Sequence, residues 1–359
     1  MATIWASTRD PLKEEVENTR PSPQAAGSPH PTAKQPAVPR YELDQDDQEE
    51  ATAALDPELC LVGQLEDADG RPMGRVHVDR TQLLGIGRYS QVYRGHLLGD
   101  GSSSRHPKAV AVKLYTSPRD DRAKLETEVS LLRDLKGHPG IIGLHSRMAP
   151  AGLVLEIAEG GNLAERIFSP DRLDAAVLGG WTDNLVSALE SLQAAGIQHH
   201  DIKPHNMLLS RDQQRLFLAD FGCASRIAAP PDASPALEGT LGYTAPELLS
   251  LDASPSPDAA AASAAYSLGV TLYAMLTGRE PFAALGRSTG AQLVIAIRRG
   301  FDRAGCNPWH LRAGLAEDDP RIRQLQAMAT QCTALDPAQR PTVTQLRQQI
   351  DTITTHTPL

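Results

Sequence analysis

Strand-like runs fill the first part of the folding region and helix-like runs the rest, with the change at Gly161, and few architectures accept that order. "CLVGQL", a turn-like "EDADGRP" and "GRVHV" read as a hairpin. "TQLLGIG", "SQVYRGHLL" and "AVAVKLY" follow as three further strand-like runs, divided by glycines or by the polar "GDGSSSRHP". The period then shifts once: in "RAKLETEVSLLRDL", Leu125, Val129 and Leu132 recur at helical spacing, widened by Leu131 and Leu135. Two more strand-like runs come next, "IIGLHSRMA" and "GLVLEIA". Beyond Gly161, Val177, Trp181, Leu185, Leu189 and Leu192 line one face of a long helix. "AAAASAAYSLGVTLYAML" is apolar nearly all round, which predicts a buried central helix rather than a membrane span. The pattern predicts an α+β protein of two unequal lobes with no internal repeat.

The N-terminal segment 1–57 has a different character. It is poor in aliphatics, rich in proline ("RPSPQAAGSPHPTAKQPAVPR") and carries the acidic block "DQDDQEE". Such a stretch buries too little apolar surface to offset its ordering entropy, so a disordered tail is expected. Pro36, Pro39 and Arg40 form a minimal PxxP pattern that suits an SH3-like groove, though it arises often by chance. The net charge of −9, with no Lys/Arg cluster, argues against nucleic acid or an anionic membrane surface as a partner. The four cysteines are scattered without a CxxC pair, which points away from disulfides and structural zinc and towards a reducing compartment. The opening "MATIWASTRDPLKEE" lacks an apolar core for a secretory signal, and no apolar run approaches the roughly 20 residues of a bilayer span. A cytoplasmic protein is expected, with the nucleus also open to it.

In "LGIGRYSQVY", Gly85 and Gly87 sit between strand-like runs, with Ser90 where a third glycine would stand. Glycines there let backbone N–H groups approach phosphate oxygens, although an ordinary glycine hairpin gives the same pattern. A dinucleotide-binding loop would lead straight into a helix, whereas "SQVYRG" is a strand. The next strand offers Lys113 among apolar residues, which is costly unless its ammonium meets a partner. Glu128, on the following helix, is the candidate. A Lys113–Glu128 pair beneath a glycine flap would hold nucleotide phosphates.

"QHHDIKPHNMLL" crowds three histidines, an aspartate, a lysine and an asparagine into an apolar-flanked stretch. Adjacent histidines seldom converge on one ion and no familiar ligand spacing is present, so zinc on His199, His200 and His205 is disfavoured. The stretch resembles the catalytic loop of the eukaryotic-type protein kinase superfamily, serine/threonine branch, and the other motifs stand in that family's order. "LADFG" carries Asp220, "GTLGYTAPEL" ends an activation segment, and "DPAQRPT" supplies Arg340 as a partner for Glu247.

The resemblance implies a bilobal kinase fold, with a small β-rich N-lobe at 78–158 and a mostly helical C-lobe at 159–352. A hairpin extension at 58–77 would precede it and a short tail at 353–359 would follow. The implied catalytic residues are Asp201, which accepts the substrate hydroxyl's proton, Lys203, Asn206, Lys113 and Glu128. Asn206 and Asp220 would hold Mg2+. ATP would lie against Gly85, Gly87, Ser90, Val92 and Ala111 from above, beside Lys113. Glu156, Ala158, Asn162 and Leu208 would complete that site, with Leu155 as gatekeeper. Protein hydroxyls are the implied substrates; a kinase-like scaffold without turnover is the alternative.

Three positions depart from the family pattern. Ser90 replaces a glycine, and Ala264 stands where relatives carry an aspartate that anchors the catalytic-loop backbone, leaving that backbone to water or to Ser263. His200 replaces the arginine that receives an activation-loop phosphate, making this a non-RD loop. Counting back from Thr240, the usual phosphothreonine position holds Ala236, and Ser234 is displaced and followed by Pro235. Activation without loop phosphorylation is therefore expected.

Overall fold

The computed structural model describes residues 60–355, apart from 68, 88, 99–106, 117–121, 228–238, 250–256, 287 and 302–309. All of them belong to the unit Asp56–Leu359. The PxxP pattern, Ser234 and Ala236 lie outside the described residues.

Six antiparallel strands make the N-terminal lobe: β1 (Cys60–Glu66), β2 (Pro72–Ile86), β3 (Ser90–Leu98), β4 (Ala109–Tyr115), and, after helix α1 (Arg122–Asp134), β5 (Leu144–Ala149) and β6 (Gly152–Leu155). They close into a barrel in the order β1-β2-β3-β4-β6-β5, with β5 returning to β1 through Gln64↔Ala149, Leu65↔Met148 and Glu66↔Arg147. Alternation along β4 explains the two faces. Val110 and Val112 point into the barrel with Leu65, Val76, Val78, Tyr93, Met148 and Val154. Ala111, Lys113 and Tyr115 therefore share the other face, and Ala111 and Tyr115 join the main core with Leu125, Val129 and Leu132 of α1.

At Gly63 of β1 an added Cβ would meet the side chain of Met148 on β5, which would have to shift to make room. The two runs "GRVHV" and "TQLLGIG" turn out to be one strand, β2. The polar Asp79–Gln82 step that separates them in sequence is a register shift within the ladder. Asp79 there accepts bonds from Thr81 N–H and Oγ1 and from Gln82 Nε2.

The second lobe is helical. α2 (Leu163–Ile167) and α3 (Ala175–Ala194) come first, each started by a side-chain cap, from Asn162 and Asp174 respectively. Trp181, Leu185, Leu189 and Leu192 are buried on α3 as their spacing predicts, whereas Val177 is only half-buried and Leu178 takes the inner place. Short strands β7 (Ile197–Gln198), β8 (Met207–Leu209), β9 (Leu216–Leu218) and β10 (Ser225–Arg226) form two small ladders, β10-β7 and β8-β9. The rest is α4 (Pro257–Thr277), α5 (Gly290–Arg299), α6 (Pro320–Cys332) and α7 (Val343–Thr355).

The central apolar stretch forms α4. Contrary to the sequence reading, Asp258–Thr277 does reach the length and mean hydropathy (1.4) of a membrane-crossing helix, but 72% of that window is buried inside the domain. Leu268, Leu272 and Leu276 place it in the same core as Leu325 and Met328 of α6 and Leu346 and Ile350 of α7.

Candidate active site

Three charged side chains from distant parts of the chain meet between the lobes. Lys113 Nζ lies 2.7 and 2.8 Å from the two carboxylate oxygens of Glu128, and 2.7 Å from Asp220 Oδ1. Lys113 and Glu128 are buried, at 4% and 1% exposure. Burial alone pulls the lysine's pKa down, but the two carboxylates outweigh it and raise the value, so the ammonium stays charged. The same ammonium holds Asp220 down to about 2. Glu128 has further donors: the Phe221 N–H at 3.2 Å and the hydroxyl of Tyr115. Tyr115 has no counterpart among the residues that the sequence singles out.

The catalytic-loop residues converge below. His199 is buried; its Nε2 donates to Ala219 O at 3.0 Å and its Nδ1 accepts from the Asp201 N–H at 3.3 Å. Burial lowers its pKa, and its ring meets Phe221 edge-on at 4.8 Å, so it serves as neutral packing. Asp201 Oδ2 accepts from Lys203 Nζ at 2.7 Å and from Asn206 Nδ2 at 2.9 Å. Its Oδ1 is buried and has no hydrogen-bond partner among the described residues. Lys203 also reaches Thr240 Oγ1 at 2.7 Å, which ties the loop to the end of the activation segment. Gly239 (φ +121°) passes so close that a Cβ there would lie 2.6 Å from His200 O.

The other residues that the sequence singles out lie on the flap, the core and the hinge. Gly87 N–H bonds Ser90 O at 2.8 Å to form the flap's turn, and a Cβ at Gly85 would project into open space. Val92, Ala158 and Leu208 are half-buried and pack on the core that contains Ala111. At the hinge the Glu156 N–H is bound by Gly143 O at 2.7 Å; the Glu156 carbonyl and the Ala158 N–H have no main-chain partner among the described residues. Asn162 Oδ1 accepts from Glu165 N–H at 2.9 Å and caps α2.

The donor set fits a hard cation. The side chain of Asp220 is 47% exposed, and Asn206 spends its amide N–H groups on Asp201 O and Oδ2, which leaves its carbonyl oxygen as the atom able to act as a ligand. The three histidines diverge: His199 bonds Ala219, His200 Nε2 lies 2.8 Å from Ser225 Oγ, and His205 is exposed near Phe168.

Arg340 is wholly buried and bonds both oxygens of Glu247 at 2.6 and 2.8 Å. At Ala264, which packs half-buried on the core, the neighbouring Ser263 takes part differently from the sequence reading. Its hydroxyl accepts from Gln198 Nε2 at 3.0 Å, a side chain just before the loop, rather than from the loop backbone.

A barrel over a helical lobe, with a strand lysine, a helix glutamate and an aspartate-bearing loop at their junction, is the architecture of protein kinases. A family profile described as "Protein kinase domain" matches residues 78–350, and the chain belongs to that family. It is similar to a calcium and calcium/calmodulin-dependent serine/threonine-protein kinase of Lilium longiflorum, 31% identical over 62% of this chain and 41% of that protein. It also resembles CBL-interacting serine/threonine-protein kinase 7 of Arabidopsis thaliana, 31% identical over 66% of this chain and 51% of the relative. A third relative is serine/threonine-protein kinase ULK3 of Xenopus laevis, 33% identical over 56% and 42%. The chain thus spans about half or less of the length of these relatives.

Proposed function

We propose that this domain transfers the γ-phosphoryl group of ATP to serine and threonine hydroxyls of proteins. The observation that carries this reading is Oδ1 of Asp201, buried and without a hydrogen-bond partner among the described residues, beside an Oδ2 that Lys203 and Asn206 hold in place. A carboxylate oxygen kept dry and uncommitted is poised to accept a proton from an incoming hydroxyl. As the acceptor oxygen bonds the γ-phosphorus, its proton passes to Asp201 and the bond to the β–γ bridging oxygen breaks, releasing ADP. Lys203, already beside Asp201, offsets the negative charge that gathers on the transferred group. Lys113, fixed by Glu128, positions the other phosphates, while the open hinge groups of Glu156 and Ala158 suit an adenine edge. Asp220 and Asn206 would hold Mg2+, which when bound neutralises phosphate charge.

Asp201→Asn is expected to abolish radiolabel transfer to a basic protein and leave ATP affinity within a few-fold of the parent. Lys113→Met should cripple transfer through misplaced phosphates. More than a few per cent of turnover in Asp201→Asn would overturn the assignment. ATP binding by the parent without any transfer would establish the scaffold alternative.

A further inference from the structure

Glu128 is the most completely surrounded charge in the cleft. Its two oxygens take the Lys113 ammonium, the Phe221 N–H and the Tyr115 hydroxyl, and at 1% exposure no solvent route replaces a lost donor. The Lys113 ammonium has three N–H groups, and Glu128 and Asp220 occupy all of them. That ammonium is already shared with Asp220, and to hold a phosphate it must release part of its present coordination. An unpartnered buried carboxylate is costly, so a glutamate held by lysine alone would compete with the nucleotide for the same protons.

Tyr115 removes that competition. It sits two residues beyond Lys113 on β4, so strand alternation puts both side chains on one face. Its ring packs in the main core at 6% exposure, and the Lys113 ammonium lies 5.5 Å from the ring centroid. Its hydroxyl meets Glu128 Oε2, while Phe221 N–H meets Oε1, so each oxygen keeps a donor that does not depend on Lys113. We propose that Tyr115 is a positioning residue that anchors Glu128 to strand β4 independently of Lys113, freeing the lysine ammonium to bind nucleotide phosphate. The proposal rests on the phosphotransferase reading of this cleft and adds a residue to it.

Tyr115→Phe removes one oxygen and keeps the ring that the core packs around. It is expected to raise the KM for ATP about five- to tenfold and leave the KM for a peptide acceptor within twofold. A merely structural role would lower kcat by reducing the folded fraction, with both KM values unchanged. That result, or an ATP KM within twofold of the parent, overturns the proposal. ATP affinity measured by calorimetry gives the same comparison without turnover. If the parent bound ATP yet transferred nothing, the phosphotransferase reading would fail while a five- to tenfold weaker affinity in Tyr115→Phe still supported the anchor. In a Glu128→Ala background the tyrosine has nothing left to hold, so Tyr115→Phe should change ATP affinity less than twofold; a further fivefold loss there would refute action through Glu128.

Discussion

Glu247→Ala tests how much of the helical lobe's stability passes through one buried charge. The Arg340 side chain is fully enclosed and its guanidinium makes five bonds: Nε to Ala334 O, Nη1 to Glu247 and Ala262 O, and Nη2 to Glu247 and Leu335 O. Removing Glu247 keeps the three carbonyl acceptors but takes away the only carboxylate with which Arg340 forms an ion pair among the described residues. Breaking a buried pair from one side costs about 3–5 kcal/mol. The remaining carbonyls, and the 21% exposure of the glutamate side chain, set the expectation at the lower end, near 3 kcal/mol. For a domain of this size that is a fall in melting temperature of roughly 6–12 °C. Urea titration at neutral pH, followed by tryptophan fluorescence, measures the loss directly. Glu247→Gln, which retains one acceptor oxygen, should lose less. A loss under about 1 kcal/mol for Glu247→Ala, the range of exposed pairs, would refute the argument that Arg340 is desolvated and dependent on its partner.

Two further substitutions address the departures from the family pattern. Ala264→Asp is expected to raise thermal stability, activity or both by giving the catalytic-loop backbone a charged acceptor, with well-formed bonds of that kind contributing roughly 1.5–3 kcal/mol; a clear loss in a thermal melt would show that the apolar packing around Ala264 has replaced the anchor. Phosphatase-treated protein, and Ser234→Ala near neutral pH, should keep most of the parent's activity, and a tenfold drop in either would sink the expectation of phosphate-independent activation.

The parts of the site legible in the sequence are those whose chemistry is packed into short strings. Asp201, Lys203 and Asn206 lie within six residues, so their mutual reach follows from the loop alone, and the geometry adds only which oxygen of Asp201 stays free. Helix and strand periods were equally readable where one face meets the core, as on α1. What the sequence hid are pairings across long separations. Nothing local in "CLVGQL" says that it will close a barrel against β5, some 80 positions later. Tyr115 reads as one more apolar strand residue, because its polar end finds a partner only once α1 has docked. Asn162 reads as a ribose contact through the resemblance, and that reading does not include the cap its oxygen gives to α2. The polar Asp79–Gln82 step looked like a break because local propensity cannot see that its side chains satisfy one another within a bulged strand.

The same contacts bear on the expectation that the cleft needs no activation-loop phosphate. In a loop with an arginine before the catalytic aspartate, an added phosphate supplies the opposite charge that orders the activation segment. Here the segment is gripped on both sides of 228–238 by groups already present. At its start, β10 pairs with β7, His200 Nε2 lies 2.8 Å from Ser225 Oγ, and Arg226 bridges to Asp134 and Ser130 of α1. At its end, Thr240 bonds Lys203 and Gly239 fits against His200 O. Arg226 therefore reaches the same helix that carries Glu128, and that helix is also tied to the barrel by Arg147, which lies 2.8 Å from Glu126 and 3.7 Å from Glu66 of β1. Helix α1 is thus fastened from the activation segment, from the closing strand of the barrel and, through Tyr115, from β4. The Lys113–Glu128 pair rests on contacts from three elements of the fold, and these contacts are what the expectation of phosphate-independent activation draws on.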